Sequence, residues 1–353
     1  MITNVQNYLL HISFGSDERM KQISKGKFTA LNKLSDKNGI IAALAIDQRG
    51  SLRKMIGAAQ GKEATEQELS DFKTLVSKTL TPYASSILLD PEFGLSAGRN
   101  RDVNCGLITS YEKTGYDVTE VGRLPDLLPL WSAKRIREEN SDAVKILVYY
   151  DADEGEKIND KKKAFVERVG SECVAEDIPF FLELLTYDAN VSDKTEYAKL
   201  KPQKVIKAVK EFTQTRYNVD VLKLEVPVDM SRVESIGENP HVYTKEEATG
   251  YFKQLNDVAT VPYIFLSAGV TAELFQKTLV FAREAGSQFN GVLCGRATWR
   301  DGIDAYGKQG EKGAIEWLST VGKKNIDDLN RVLAKSAKPW YDAYGGKDKI
   351  IVD

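Results

Sequence analysis

Histidine is nearly absent: the 353 residues contain only two, His11 and His241. A catalytic zinc site usually takes two or three imidazoles and keeps one position open, so metal chemistry built on histidine is disfavoured. Cysteine is scarce too. Cys105, Cys173 and Cys294 are odd in number, widely spaced and without a CxxC pair, which fits buried thiols in a reducing compartment better than disulfides or zinc ligands. No run approaches the ~18 apolar residues that mark a bilayer span. The early YLLHISF is too short for a secretion signal and lacks a basic segment before it. A cytoplasmic protein with no membrane partner is expected. The formal net charge of -2 supplies no basic field for a phosphate backbone, so nucleic acid is not an expected partner either. Neither GxGxxG nor GxxxxGK[ST] follows the first strand-like run, which removes the usual nucleotide grip of an open doubly wound sheet.

What is present is enough apolar residue, 42% of the chain, for a large core. Short β-branched runs bounded by turn residues occur eight times: IIAALAID (40–47), ASSILLD (84–90), VNCGLIT (103–109), AVKILVYY (143–150), PFFLELL (179–185), VDVLKLEV (219–226), PYIFLSA (262–268) and GVLCGRA (291–297). Most are continuously apolar, as strands covered on both faces should be. Helical patterns lie between them. Thr65 to Leu80 opens with the capping box Thr65-x-x-Glu68, and Thr244-x-x-Glu247 begins another helix. Ser132–Glu139, Lys161–Ala175, Thr271–Ala285 and Ala314–Val321 are further candidates, as is Pro202–Thr213 with proline in its first turn. RLPDLLPLW, around Pro125 and Pro129, reads as loop. The alternation predicts an α/β fold, a single-domain TIM (β/α)8 barrel over residues 20–353, with residues 1–19 as a disordered leader.

Three strands carry charges that such a core should avoid. Side chains alternate, so in strand six Val221, Lys223 and Glu225 share one face while Leu222, Leu224 and Val226 share the other. The aliphatic face should meet the helices, which turns Lys223 into the barrel. The same alternation sends Lys145 inward from strand four and Glu183 inward from strand five. Buried charges are costly unless paired, and active sites of this fold lie at the carboxyl ends of the strands. A catalytic cluster is the economical reading; a structural ion-pair network of Lys145, Glu183, Lys223 and Glu225 is the alternative. A desolvated lysine beside a second cation loses its proton more readily and can attack a carbonyl, and Glu183 in an apolar strand is expected to have a raised pKa.

Loops after strands seven and eight form the recurrent phosphate site of this fold. Here they read SAGV (267–270) and CGRAT (294–298), offering Ser267, Gly269, Gly295 and Arg296. Strand one ends in AIDQRG: Asp47 would hold an amine or a hydroxyl, Arg49 a second phosphate, and Gln48 either binds substrate or belongs to a solvated turn. Asp90 and Glu92 stand at another strand end as supporting candidates.

LTPYASSILLDPEFGL, YEKTGYD, WSAKRI, GSECVAEDIPFFLELLTYD, DVLKLEVPV, YIFLSAGV and FNGVLCGRATW resemble the class I tagatose 1,6-bisphosphate aldolase family of the bacterial lactose/galactose pathway, from about Leu31 to Val332. The resemblance implies a lyase that needs no metal or other cofactor. It would cleave a phosphorylated ketose, D-tagatose 1,6-bisphosphate, to glycerone phosphate and D-glyceraldehyde 3-phosphate. It implies Lys223 as the imine-forming residue and Glu183 as the proton carrier, with Asp47, Lys145, Ser267, Gly269, Gly295 and Arg296 around hydroxyls and phosphates. A homodimer or homotetramer is implied as well. The leader, Asp229 and RDG (300–302) depart from the family pattern. Other readings are an aldolase for fructose 1,6-bisphosphate or a sulfonated sugar phosphate, and a phosphosugar-binding regulator that has lost turnover.

Overall fold

Each of the eight runs forms a strand, and each strand pairs in parallel with the next until the ring closes. In the computed structural model, residues 21–353 apart from 117, 118 and 239 are described, so the expected leader lies outside the described residues. In chain order the strands are β1 Lys21–Ile23, β2 Ile41–Ala45, β3 Ser86–Leu89, β4 Gly106–Ser110, β5 Ala143–Tyr150, β6 Phe180–Thr186, β7 Val221–Leu224, β8 Tyr263–Leu266, β9 Gly291–Cys294 and β10 Ile350–Val352. The barrel is β2 to β9, closed by the pairing of β2 with β9. β1 and β10 form a separate two-stranded parallel ribbon that the sequence reading did not anticipate.

The alternation decides what lies inside. One face of the barrel strands gathers Ile41, Ala43, Leu88, Ile108, Phe181, Val221, Ile264 and Leu293 into a single cluster, continued by Leu31, Leu34 and Trp340. Leu31 and Leu34 come from the helix Lys25–Leu34, which lies against β4 and plugs the amino end of the barrel with Trp340. The opposite faces, including Val144, Ile146, Leu182, Leu184, Leu222 and Leu224, pack under the surrounding helices. The three cysteines are free and buried, Cys173 and Cys294 under those helices and Cys105 beside β4.

Both capping boxes form, at Thr65/Glu68 and Thr244/Glu247. Three helix boundaries differ from expectation. The helix containing Pro202 begins at Lys194, because Asp193 accepts hydrogen bonds from the Thr195 and Glu196 amides, a stronger start signal than the proline. The helix Glu156–Ala175 starts five residues earlier than expected, its first turn joining the exposed Glu156 and Lys157 to the half-buried Ile158 and the buried Asn159. Ala314–Val321 is the middle of a longer assembly: Gly302–Trp317, interrupted at Gly310 (φ 64°), a π turn at Leu318–Gly322, and Lys323–Ser336. The segment around Pro125 and Pro129 is loop.

Candidate active site

The inward charges meet where alternation sends them. Lys145 Nζ lies 3.1 Å from Asp47 Oδ2, 2.7 Å from Glu112 Oε1 and 2.7 Å from Glu183 Oε2. Lys223 Nζ lies 2.8 Å from the same Glu183 Oε2. Strand register accounts for the last contact, since Glu183 and Lys223 are direct partners on β6 and β7. Lys145, Glu112, Glu183 and Lys223 are buried, and Asp47 is half-buried just beyond the end of β2. Two amines and three carboxylates thus share one enclosed volume.

Their proton affinities diverge. Burial alone would raise the Asp47 and Glu183 carboxyls, but Lys145 and Lys223 outweigh it and hold both below the usual carboxylate range. Glu183 therefore moves opposite to expectation, because the lysines that make it a candidate also keep it ionised. Glu112 is the group that moves up: burial dominates, the Asp47 charge adds to it, and Lys145 only partly compensates. Glu112 Oε2 is buried without a hydrogen-bond partner. Lys145 is held cationic, its burial outweighed by Asp47, Glu112 and Glu183.

Glu225 is not part of the cluster. It lies one residue past β7, accepts from the Thr186 amide (2.7 Å) and hydroxyl (2.6 Å), and pairs with Lys201 at 3.1 Å. Glu112 takes the place expected of it. The signal was available in the sequence, because alternation from Ile108 through Ser110 carries to Glu112, two residues beyond β4.

A buried support holds the end of β2. Lys73 is fully enclosed, donates to the carbonyls of Ile46 (2.7 Å) and Gln48 (2.8 Å), and pairs with Asp90. These bonds bracket Asp47. Trp299 Nε1 donates to the Ala45 carbonyl at 2.8 Å, one residue earlier along the same segment. Sequence reasoning missed Lys73, whose signal is its place on the apolar stripe of its helix, four residues after Leu69.

On the β8–β9 side of the barrel, adjoining β2, the 267–270 and 294–298 loops come together. Ala268 (φ 48°) and Gly269 (φ 79°) turn the backbone through the left-handed region, and a Cβ at Gly269 would stand 3.1 Å from Arg296 Nη2. Gly295 faces the Ala45 carbonyl, and Gln48 Nε2 lies 3.6 Å from where its Cβ would be. Ser267 is buried beside Cys294. Arg296 is half-buried and forms no salt bridge with a described residue. Gln48 thus joins Ser267, Gly269, Gly295 and Arg296, whereas Arg49 turns elsewhere: its guanidinium bonds Glu92 at 2.5 Å and the Glu112 carbonyl at 2.7 Å. Arg300 is exposed beside Asp301.

Eight parallel strands close a barrel that encloses paired lysines and acids, and comparison with known proteins places that barrel among the aldolases. Residues 41–301 match the DeoC/LacD family aldolase model. The chain is 57% identical over 320 residues to tagatose 1,6-diphosphate aldolase 1 of Enterococcus faecalis, covering 90% of this chain and 98% of that protein. It is 54% identical, with the same coverage, to tagatose 1,6-diphosphate aldolase of Streptococcus agalactiae. Among solved structures, fructose-bisphosphate aldolase of Plasmodium falciparum superimposes with a TM-score of 0.67 at 16% identity, covering 91% of this chain and 99% of that one. The chain belongs to the DeoC/LacD aldolase family.

Proposed function

We propose that the chain is a class I aldolase of the cytoplasm that cleaves D-tagatose 1,6-bisphosphate to glycerone phosphate and D-glyceraldehyde 3-phosphate. The observation that carries this reading is Lys223 Nζ inside the barrel, 2.8 Å from Glu183, in a chain more than half identical to tagatose-bisphosphate aldolases over 90% of its length. Lys223 attacks the C2 ketone and loses its proton; expulsion of water leaves a protonated imine. Glu183 accepts the C4 hydroxyl proton as the C3–C4 bond breaks, and the electron pair of that bond flows into the imine. Glyceraldehyde 3-phosphate departs, the enamine is protonated at C3, and water returns Lys223 as glycerone phosphate leaves. Lys145, held cationic by three acids, stabilises oxyanions formed during addition and cleavage. Asp47 fixes Lys145. Ser267, Gly269, Gly295, Arg296 and Gln48 hold the phosphate on the glycerone side.

Borohydride reduction in the presence of glycerone phosphate is expected to leave a stable adduct mapped to Lys223. An active enzyme with no adduct would falsify the imine. Comparing kcat/KM across the hexulose bisphosphate diastereomers tests the substrate assignment, and a marked preference for fructose 1,6-bisphosphate would replace it. The same reading carries a homodimer or homotetramer, and sedimentation at the mass of one chain would remove that part.

A further inference from the structure

The loop between β4 and the helix Ala133–Glu138 carries a cation that the chemistry above leaves unused. Arg123 is half-buried, and its guanidinium lies 4.0 Å from the ring centroid of Tyr187, 5.3 Å from that of Tyr116 and 5.8 Å from that of Tyr149. It forms no salt bridge with a described residue; Glu154, which shares Tyr187 with it, is paired with Lys162 at 3.1 Å. The backbone that presents it is held in an unfavourable conformation. Arg123 has φ 47°, a region costly for any residue with a Cβ, and follows Gly122 at φ 105°. A Cβ at Gly122 would come within 2.6 Å of Ile158, and the Gly122 carbonyl accepts a hydrogen bond from the Tyr187 hydroxyl at 3.1 Å. Three rings orient the guanidinium without neutralising it.

Its position in the ring is informative. Tyr149 stands on the inward face of β5, four residues beyond Lys145, and Tyr187 directly follows β6. Arg296 follows β9. In a closed ring of eight strands, β5 and β9 are on opposite walls and β7, which carries Lys223, lies two strands from each. The amine is therefore placed between two unpaired guanidinium groups, as a ketone is placed between the two phosphates of an open-chain ketose bisphosphate. Arg49, which follows β2, is occupied by Glu92 and a carbonyl.

We propose that Arg123, in its cage of Tyr116, Tyr149 and Tyr187, binds the phosphate remote from the ketone, the one that leaves on the aldehyde fragment. The proposal rests on the retro-aldol reading above. A guanidinium suits the task because its fork can donate to two phosphate oxygens at once.

The test compares the parent with Arg123→Gln and Arg123→Lys on a ketohexose 1,6-bisphosphate and on the matching 1-phosphate, which lacks the remote group. The ratio of kcat/KM between the two substrates is expected to fall by about 10- to 100-fold in Arg123→Gln, the loss typical of a charge-assisted hydrogen bond, mostly through KM, and by less in Arg123→Lys. Borohydride trapping of glycerone phosphate on Lys223 in each variant reports whether the site is assembled. An unchanged ratio overturns the proposal. So does equal loss on both substrates or loss of trapping in the variants, because either marks a structural prop. Failure of the parent itself to trap glycerone phosphate would instead sink the retro-aldol reading.

Discussion

Lys145 and Lys223 converge on one atom, Glu183 Oε2, at 2.7 and 2.8 Å. A single carboxylate oxygen thus bridges two amines in an enclosed space, and it is the acceptor beside the proposed nucleophile. Glu183→Gln keeps the shape and removes the charge. It is expected to lower kcat by about 10²- to 10⁴-fold, the usual contribution of a placed general base. Trapping on Lys223 in single-turnover experiments should persist at a reduced rate. Unchanged turnover would move the proton-transfer role to another acid.

The stability of the cluster should depend on pH with two opposite signs. Asp47 and Glu183 have folded pKa values below their unfolded ones, so their contribution is present above about pH 4 and is lost as the pH falls through the folded values. Glu112 has a folded value above its unfolded one, so its contribution is full below about pH 4.3 and is lost as the pH rises through the folded value. Glu112→Gln removes only the second effect. Its melting temperature relative to the parent should climb as the pH increases above about 4.3. A difference that stays flat with pH would show that Glu112 is ionised throughout.

Lys73 and Asp90 support the site from beneath. Lys73→Met strands Asp90 and two carbonyls in the core, and should cost about 3–5 kcal/mol in urea unfolding. Adding Asp90→Asn should restore part of that stability by removing the uncompensated charge. If the double variant is less stable than Lys73→Met alone, the pair is not acting as a charge-compensated unit.

Gly269→Ala meets two obstacles, the φ of 79° and the Arg296 guanidinium 3.1 Å from the new Cβ. Strain of about 1–2 kcal/mol is expected from the backbone alone. A raised KM for phosphorylated substrate, with borohydride trapping retained at saturating glycerone phosphate, is the predicted readout. An unaltered KM would separate this turn from phosphate binding.

Alternation along the strands was the most readable signal. It placed Lys145, Glu183 and Lys223 inside the barrel because each sits among aliphatic neighbours that need the helices. It misled at Glu225, where β7 has already ended and the chain is free to turn the carboxylate to Thr186 and Lys201. It also reaches Glu112, three residues beyond the apolar run that ends at Thr109. Lys73 is a different case: its place on the apolar stripe of its helix marks it as buried, but its partners, 17 to 27 residues away, are apparent only once the chain has folded. Arg123 was silent, since its three aromatic neighbours come from separate segments. The direction of the Glu183 shift needed distances, because burial and two cations pull against each other and only their separation decides the outcome.

Leu31, Leu34 and Trp340 stopper the floor beneath the apolar tier of the barrel, and the carboxyl rim above Lys223 serves as the doorway. In the proposed cycle a sugar threaded onto Lys223 keeps its ketone-derived half tethered, so the untethered aldehyde departs first, through the opening by which the ketose entered. Cleavage should follow an ordered sequence, with glycerone phosphate competing with intact sugar for the empty vessel while the aldehyde meets only the loaded one.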